Sequence, residues 1–352
     1  MKKIFFSLVA LAAIAACSKS EVEYDNPAEI GFAPVAQNVT KSVAGLPTDG
    51  GGYNNAFPTD LNLYIFANAQ ADDLTNSWPA AYLRNAKFIY NRAGTSNEVY
   101  EGEQAYYWPN VKSLIFAGYS SPSESALTAS ISNDMKTLTV EGYVQDNRKG
   151  YTQAGDAITV KPGANELMWF PWDETSSYTK TNTAVPVTMQ HACSWITIKV
   201  ARDVNTTNET WKLNSLKING LYHTGTATCT KNAATWALTG STAADTLFTS
   251  SAQGGTNLST TATEFEDVAN NMVVLPQTPT TIDVEYSFVS QTGLTPITET
   301  YRNLSLSVGD GDADKWLSGK HYIYTITITA TEILIDPEVK AWDPVTAPSP
   351  TI

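Results

Sequence analysis

The chain has 352 residues and a formal net charge of -13, with Lys and Arg together contributing only 22. No basic stripe is present to neutralise phosphates, so nucleic acid is excluded as a partner and an electrostatic hold on anionic lipid is disfavoured. Three cysteines and three histidines leave no disulfide framework and little imidazole chemistry to distribute.

Met1-Lys2-Lys3 is a short basic stretch, followed by an apolar run from Ile4 to Ala16 broken only by Ser7. As a helix this run spans about 20 Å, short of the ~30 Å hydrocarbon core of a bilayer. It has the size of a signal-peptide apolar region, removed on export. Small residues, Ala15 and Ala16, precede Cys17. A cysteine at such a site resembles the lipobox of bacterial lipoproteins, in which it becomes the acylated first residue of the mature chain. Two or more acyl chains attach a protein stably to a membrane. Residues 1–16 are therefore expected to be a signal peptide and Cys17 the lipidation site. Their removal takes Lys2 and Lys3 with them. Residues 17–29, with Glu21, Glu23, Asp25 and Pro27, read as a polar tether.

Ile30 to Ala33 opens the strands. The stretch from Thr40 through Lys41 to Gly50-Gly51-Gly52 has turn formers and no period, and reads as a loop. From Leu61 onward the pattern is β. Leu61, Leu63 and Ile65 alternate with Asn62, Tyr64 and Phe66, which suits a sheet with a buried face. Lys87–Tyr90, Ala105–Trp108, Ser113–Ala117, Thr137–Val140 and Leu167–Phe170 follow, and Val185–Met189 restarts the pattern. Ile196, Ile198 and Val200 share one face. Trp211–Ile218, Ala234–Leu238, Thr281–Val289 and Tyr301–Val308 continue the series. His321–Ala330 places Tyr322, Tyr324, Ile326 and Ile328 on one side. Ala80–Ala86 and Asp312–Leu317 are the short helix candidates. The expected fold is all-β, with two tandem β-sandwich domains at 30–184 and 185–352.

Chemistry is sparse. His191, His223 and His321 lack partners at metal-ligand spacing, and no CxxC or GxSxG is present. Asp310-Gly311-Asp312-Ala313-Asp314 resembles the start of a calcium loop, but the twelfth position is His321 where a glutamate is needed. No nucleophile, base and orienting group can be assembled, so no enzyme, cofactor or metal site is expected. Cys193 and Cys229 are open to pairing or to life as buried thiols. Trp108 and Trp172 sit in aromatic runs that could stack on glycans if exposed, or pack a core if not.

An ordered set of short signatures resembles the fimbrillin superfamily of Bacteroidetes. They are the lipobox at Cys17, Leu63-Tyr64-Ile65-Phe66, Tyr107-Trp108-Pro109 with Ile115-Phe116-Ala117-Gly118-Tyr119, and Met189-Gln190-His191-Ala192. Met272-Val273-Val274-Leu275-Pro276-Gln277, Trp316–Tyr324 and Val339-Lys340-Ala341-Trp342 complete the order. The resemblance implies two transthyretin-like β-sandwich domains, export as an outer-membrane lipoprotein, and polymerisation with other fimbrial subunits. It further implies loss of an N-terminal strand near Ile30–Pro34 to an arginine-specific protease. A donor strand from a neighbour would then fill the groove. Here the donor would come from Ala341, Trp342, Val345 and the residues that follow.

The sequence departs from the family in two respects. No arginine lies between Cys17 and Arg84, which leaves Lys41 as the candidate processing site, and the tail carries Pro344, Pro348 and Pro350. Asp245-Thr246-Leu247 matches the short O-glycosylation motif used in Bacteroidetes. The expected function is a structural subunit or anchor of a surface fimbria that supports adhesion. The alternative is a monomeric surface lipoprotein that binds glycans or host ligands.

Overall fold

A computed structural model describes residues 28–36, 61–70, 81–90, 99–109, 113–121, 126–145, 151–154, 157–160, 167–172, 177–203, 209–249, 255–261, 263–264, 271–289, 294–307, 315–329 and 332–341. Every regular element among them is a β-strand.

Seven strands close a barrel. In order around it they are β1 (Gly31–Ala36), β11 (Val185–His191), β10 (Met168–Phe170), β5 (Ser113–Ser121), β2 (Asn62–Gln70), β3 (Ala81–Tyr90) and β4 (Tyr100–Gly102). The β1–β11 pair is parallel and the rest are antiparallel. The interior is a packed core built on Ile30, Phe32, Leu63, Phe88, Phe116 and Phe170. On β5, Leu114 and Phe116 point inward, while Ile115, Ala117 and Tyr119 point outward into a second core. Both faces are covered, which is why its sequence is an almost continuous apolar run. Gly118 is needed there, because a Cβ would lie 2.7 Å from the Tyr64 carbonyl and 2.8 Å from the Phe170 ring.

That second core lies beneath a four-stranded sheet in the order β15 (Ala234–Thr239), β14 (Thr224–Cys229), β7 (Leu138–Val144) and β6 (Thr128–Ile131). Leu138, Val140, Ala227 and Cys229 meet Tyr64 and Tyr119 from the barrel and Trp195 from the second half. A separate hairpin joins β8 (Tyr151–Ala154) to β9 (Ala157–Val160).

The remaining strands make a sandwich. One sheet runs β16 (Ala243–Thr249), β13 (Thr210–Leu221), β20 (Thr281–Val289) and β21 (Ile297–Ser305), with β17 (Thr256–Asn257) also on β13. The other runs β18 (Thr263–Glu264), β12 (Ser194–Arg202), β22 (Lys320–Ile328) and β23 (Ile333–Ala341), with β19 (Asn271–Val274) also on β12. Between them Ile196, Ile198 and Val200 of β12 and Tyr322–Ile328 of β22 meet Leu213, Ile218 and Tyr286. Trp195 points out of the opposite face of β12 into the second core, so this strand locks the sandwich to the barrel.

Strand content matches the expected all-β class, whereas two discrete transthyretin-like sandwiches are not clearly resolved. The strand after residue 184, β11, is a stave of the first-half barrel, and the β14–β15 hairpin completes a sheet begun by β6 and β7. Two local expectations are corrected. Ala80–Ala86 falls in the strand β3 (Ala81–Tyr90), not in a helix, because Leu83 and, past a bulge, Ala86 and Phe88 reach the barrel core. Ala105–Trp108 is not a regular strand: only Tyr107 forms a bridge, to Glu29. Lys315–Leu317 also lacks helical structure, while residues 312–314, the acidic stretch near Asp310 and the glycine loop at 50–52 lie outside the described residues.

Candidate functional site

Strand β1 is the stave on which barrel closure depends. Its sequence alternates, so Phe32 and Pro34 are buried while Gly31 and Ala33 are half-buried. Along β11 it pairs through five residues, Phe32↔Val185 to Ala36↔Met189. On its other side β4 contributes only Gly31↔Glu101 and Phe32↔Tyr100. Just upstream, Ile30 N–H donates to the Tyr106 carbonyl at 2.7 Å, and Trp108 N–H donates to the Ala28 carbonyl at 2.9 Å. Ile30 and Phe32 are fully buried. The Phe32 ring meets Phe88 edge-on, with centroids 4.9 Å apart. Each such side chain contributes roughly 1.5–3 kcal/mol by burial.

Taking β1 away would leave an apolar slot between β11 and β4, lined by Phe88 and Phe116, and an unpaired flank on β11. Such a slot is chemically a receptor for another extended strand with alternating apolar side chains. The last strand, β23, is the edge of its sheet. Its residue Ala341 pairs with Lys320 of β22, so this residue is already engaged within its own chain. Cys17, Lys41, Trp342 and Val345 lie outside the described residues.

The two tryptophans are not brought together. Trp108 is only 7% exposed and packs edge-on against Phe116 in the barrel core. Trp172 is half-buried against the second core, with the Lys136 ammonium 5.7 Å from its ring centroid. The histidines are dispersed. His321 stacks on Trp195 at 3.7 Å and meets the Thr197 hydroxyl through Nε2 at 2.8 Å. His223 Nδ1 lies 3.2 Å from the Gln145 carbonyl, and His191 is buried at the end of β11. Among the described residues no group of three or more His, Cys, Asp or Glu could hold a metal ion. Cys193 and Cys229 are both buried thiols outside any disulfide, and burial pushes the Cys229 thiol up to about 12. Asp245-Thr246-Leu247 runs along β16, with Leu247 buried.

One cavity of about 280 Å³ was not signalled by the sequence. It opens where β10 stops and β11 continues. Its lining brings Phe116, Tyr178 and Pro186 together with Gln190, Lys231 and Asn232, residues spread over more than a hundred positions with no local pattern to link them.

A profile described as fimbrillin-like matches residues 52–342. The chain belongs to the fimbrillin-like family. A fimbrial protein from Bacteroides vulgatus shares its fold with a TM-score of 0.54 and 16% identity, over 89% of this chain and 99% of that one. A candidate cell-adhesion protein from Parabacteroides distasonis aligns at 12% identity with a TM-score of 0.47, over 91% and 99%. Among curated proteins none matches. The fimbrillin-like fold marks the chain as a structural protein.

Proposed function

We propose that this fimbrillin-like protein is a structural subunit or anchor of a surface fimbria, carried at the outer membrane on acylated Cys17 and joined to like subunits by strand exchange. Its two halves, 30–184 and 185–352, would descend from tandem transthyretin-like sandwiches. The paired sheets of the second half support that reading.

The observation that carries the proposal is the lopsided hold on β1. It fills the barrel core with Ile30 and Phe32, yet β4 meets it through two residue pairs only. An intact β1 would not leave spontaneously, because its buried side chains alone contribute several kcal/mol. Cutting the chain after it, with Lys41 as the candidate position, would release it from the downstream covalent tether. A donor segment beyond β23, including Trp342 and Val345, would then occupy the vacated seat in a neighbour. A subunit that kept β1 would act as the lipid-held anchor. The glycan-binding alternative loses one of its two supports, since Trp108 is buried.

Intact-mass measurement of protein extracted from the cell surface tests this directly. Species beginning after Lys41, running as SDS-resistant ladders, are expected for a stalk subunit. A sole species starting at acylated Cys17, with no oligomers, would remove the stalk role.

A further inference from the structure

We propose that the cavity beside β11 is a seat for the chain's own proline-rich segment 342–352, docked in cis along the aromatic floor of the slot. The slot exists because β10 has only three residues, whereas β11 has seven. Beyond the Trp169↔Gln190 pair, the flank of β11 from Pro186 to Thr188 has no strand beside it among the described residues. Tyr178 lies across the gap. It bridges to Leu114 of β5, and its hydroxyl donates to the Pro186 carbonyl at 3.0 Å. The Pro186 carbonyl therefore points into the slot. By the period-two alternation of a strand, the main-chain groups of Thr188 point the same way.

A regular added strand fits this flank poorly, because Pro186 has no N–H to give. An extended proline-rich segment fits it well. Such segments form no internal hydrogen bonds, carry a low ordering cost, and dock in aromatic-lined grooves with polar groups at the rim. Phe116, Phe170 and Tyr178 supply the aromatic surface, while Gln190, Lys231 and Asn232 supply the rim. The rim turn is held in place by Gln190 Nε2, which donates to the Lys231 carbonyl at 3.1 Å, and by Trp169 Nε1, which donates to the Thr230 carbonyl at 3.0 Å.

The occupant is named by where the chain goes. Ala341, the end of β23, pairs with Lys320. Two residues before Lys320, the Ser318 hydroxyl accepts the Ala234 N–H at 3.3 Å, and one residue before it, Gly319 N–H donates to the Cys193 carbonyl at 2.9 Å. Ala234 directly follows the 230–233 turn, and Cys193 lies two residues past the end of β11. The path from Ala341 to Asn232 is thus on the order of 20 Å. Residues 342–352, carrying Pro344, Pro348 and Pro350, span about 34 Å in a polyproline conformation. A segment of that length starting at Ala341 can reach the slot and fill it. The seat needs no processing of β1, so it is testable on the uncut monomer independently of strand exchange.

The test pairs Asn232→Cys with Ala347→Cys in the full uncut chain under mild oxidation, followed by peptide mapping. A disulfide linking 232 to 347 within one chain is expected, and loss of that link when Pro344, Pro348 and Pro350 are all changed to alanine. In parallel, a synthetic peptide spanning 342–352 is titrated onto a chain ending at Ala341 and onto the full chain. A tethered tail has an effective concentration near the millimolar range, so the full chain should bind the peptide at least about tenfold more weakly. A link formed only between chains, no link at all, or equal peptide binding to both chains would overturn the proposal.

Discussion

Phe32 and Phe116 meet edge-to-face, with ring centroids 5.1 Å apart and planes at 89°, although one lies on β1 and the other on β5 across the barrel. Through this contact the strand nearest the N-terminus becomes part of the core of the first half. Phe32→Ala should therefore destabilise the barrel by about 3–5 kcal/mol, the usual cost of truncating a buried phenylalanine. Urea unfolding followed by tryptophan fluorescence would read the shift.

Gly118 sets the separation between β5, β2 and β10. Gly118→Ala should destabilise the fold despite the small change, because the new methyl meets the Tyr64 backbone at 2.7 Å and backbone yields little. A cost of about 1–3 kcal/mol is expected for such overpacking. Thermal melting would show it, and an unchanged melting temperature would mean that β5 can shift.

The two tryptophans should behave differently. Trp108→Ala removes a buried core ring and should cost about 3–5 kcal/mol. Trp172→Ala, at a half-buried position, should cost markedly less. Chemical denaturation of both variants separates them.

The thiols give a pH prediction. Burial raises the Cys229 thiol to about 12 from its ordinary 9.0. A group raised in the folded state contributes stability fully present below its unfolded value and lost as pH rises towards the folded one. Stability should therefore fall between about pH 9 and pH 12, at up to about 1.4 kcal/mol per pH unit from this group. Burial also raises Tyr286, to about 12, which adds in the same direction. Alkylation at pH 8 should leave Cys193 and Cys229 unmodified in the folded protein and modify both in urea.

Much of the strand content was legible from local pattern. The alternations at Ile196–Val200 and Tyr322–Ile328 mark real strands with the expected buried faces, because one side of each must meet a core, whereas Leu61–Phe66 is buried on both faces, with Tyr64 and Phe66 in the second core. The arrangement was not legible. Nothing near Val185 announces that β11 runs parallel to a strand some 150 residues earlier, and nothing near Thr224 announces pairing with β7. Such partners are chosen by long-range packing, which leaves no period in the sequence. Ala80–Ala86 misled for a related reason: Ala and Leu favour helix locally, but Leu83 and Phe88 are drawn into the barrel. The cavity rim escaped notice because β10's early end, and not any residue motif, creates it.

If the β1 seat accepts a strand from another copy, a chain beginning at Ser42 will show it when incubated with and without a synthetic peptide spanning residues 28–36. SDS-resistant oligomers are expected, suppressed by the peptide as it refills the seat. A chain that stays monomeric in its absence, or oligomers indifferent to the peptide, would contradict it.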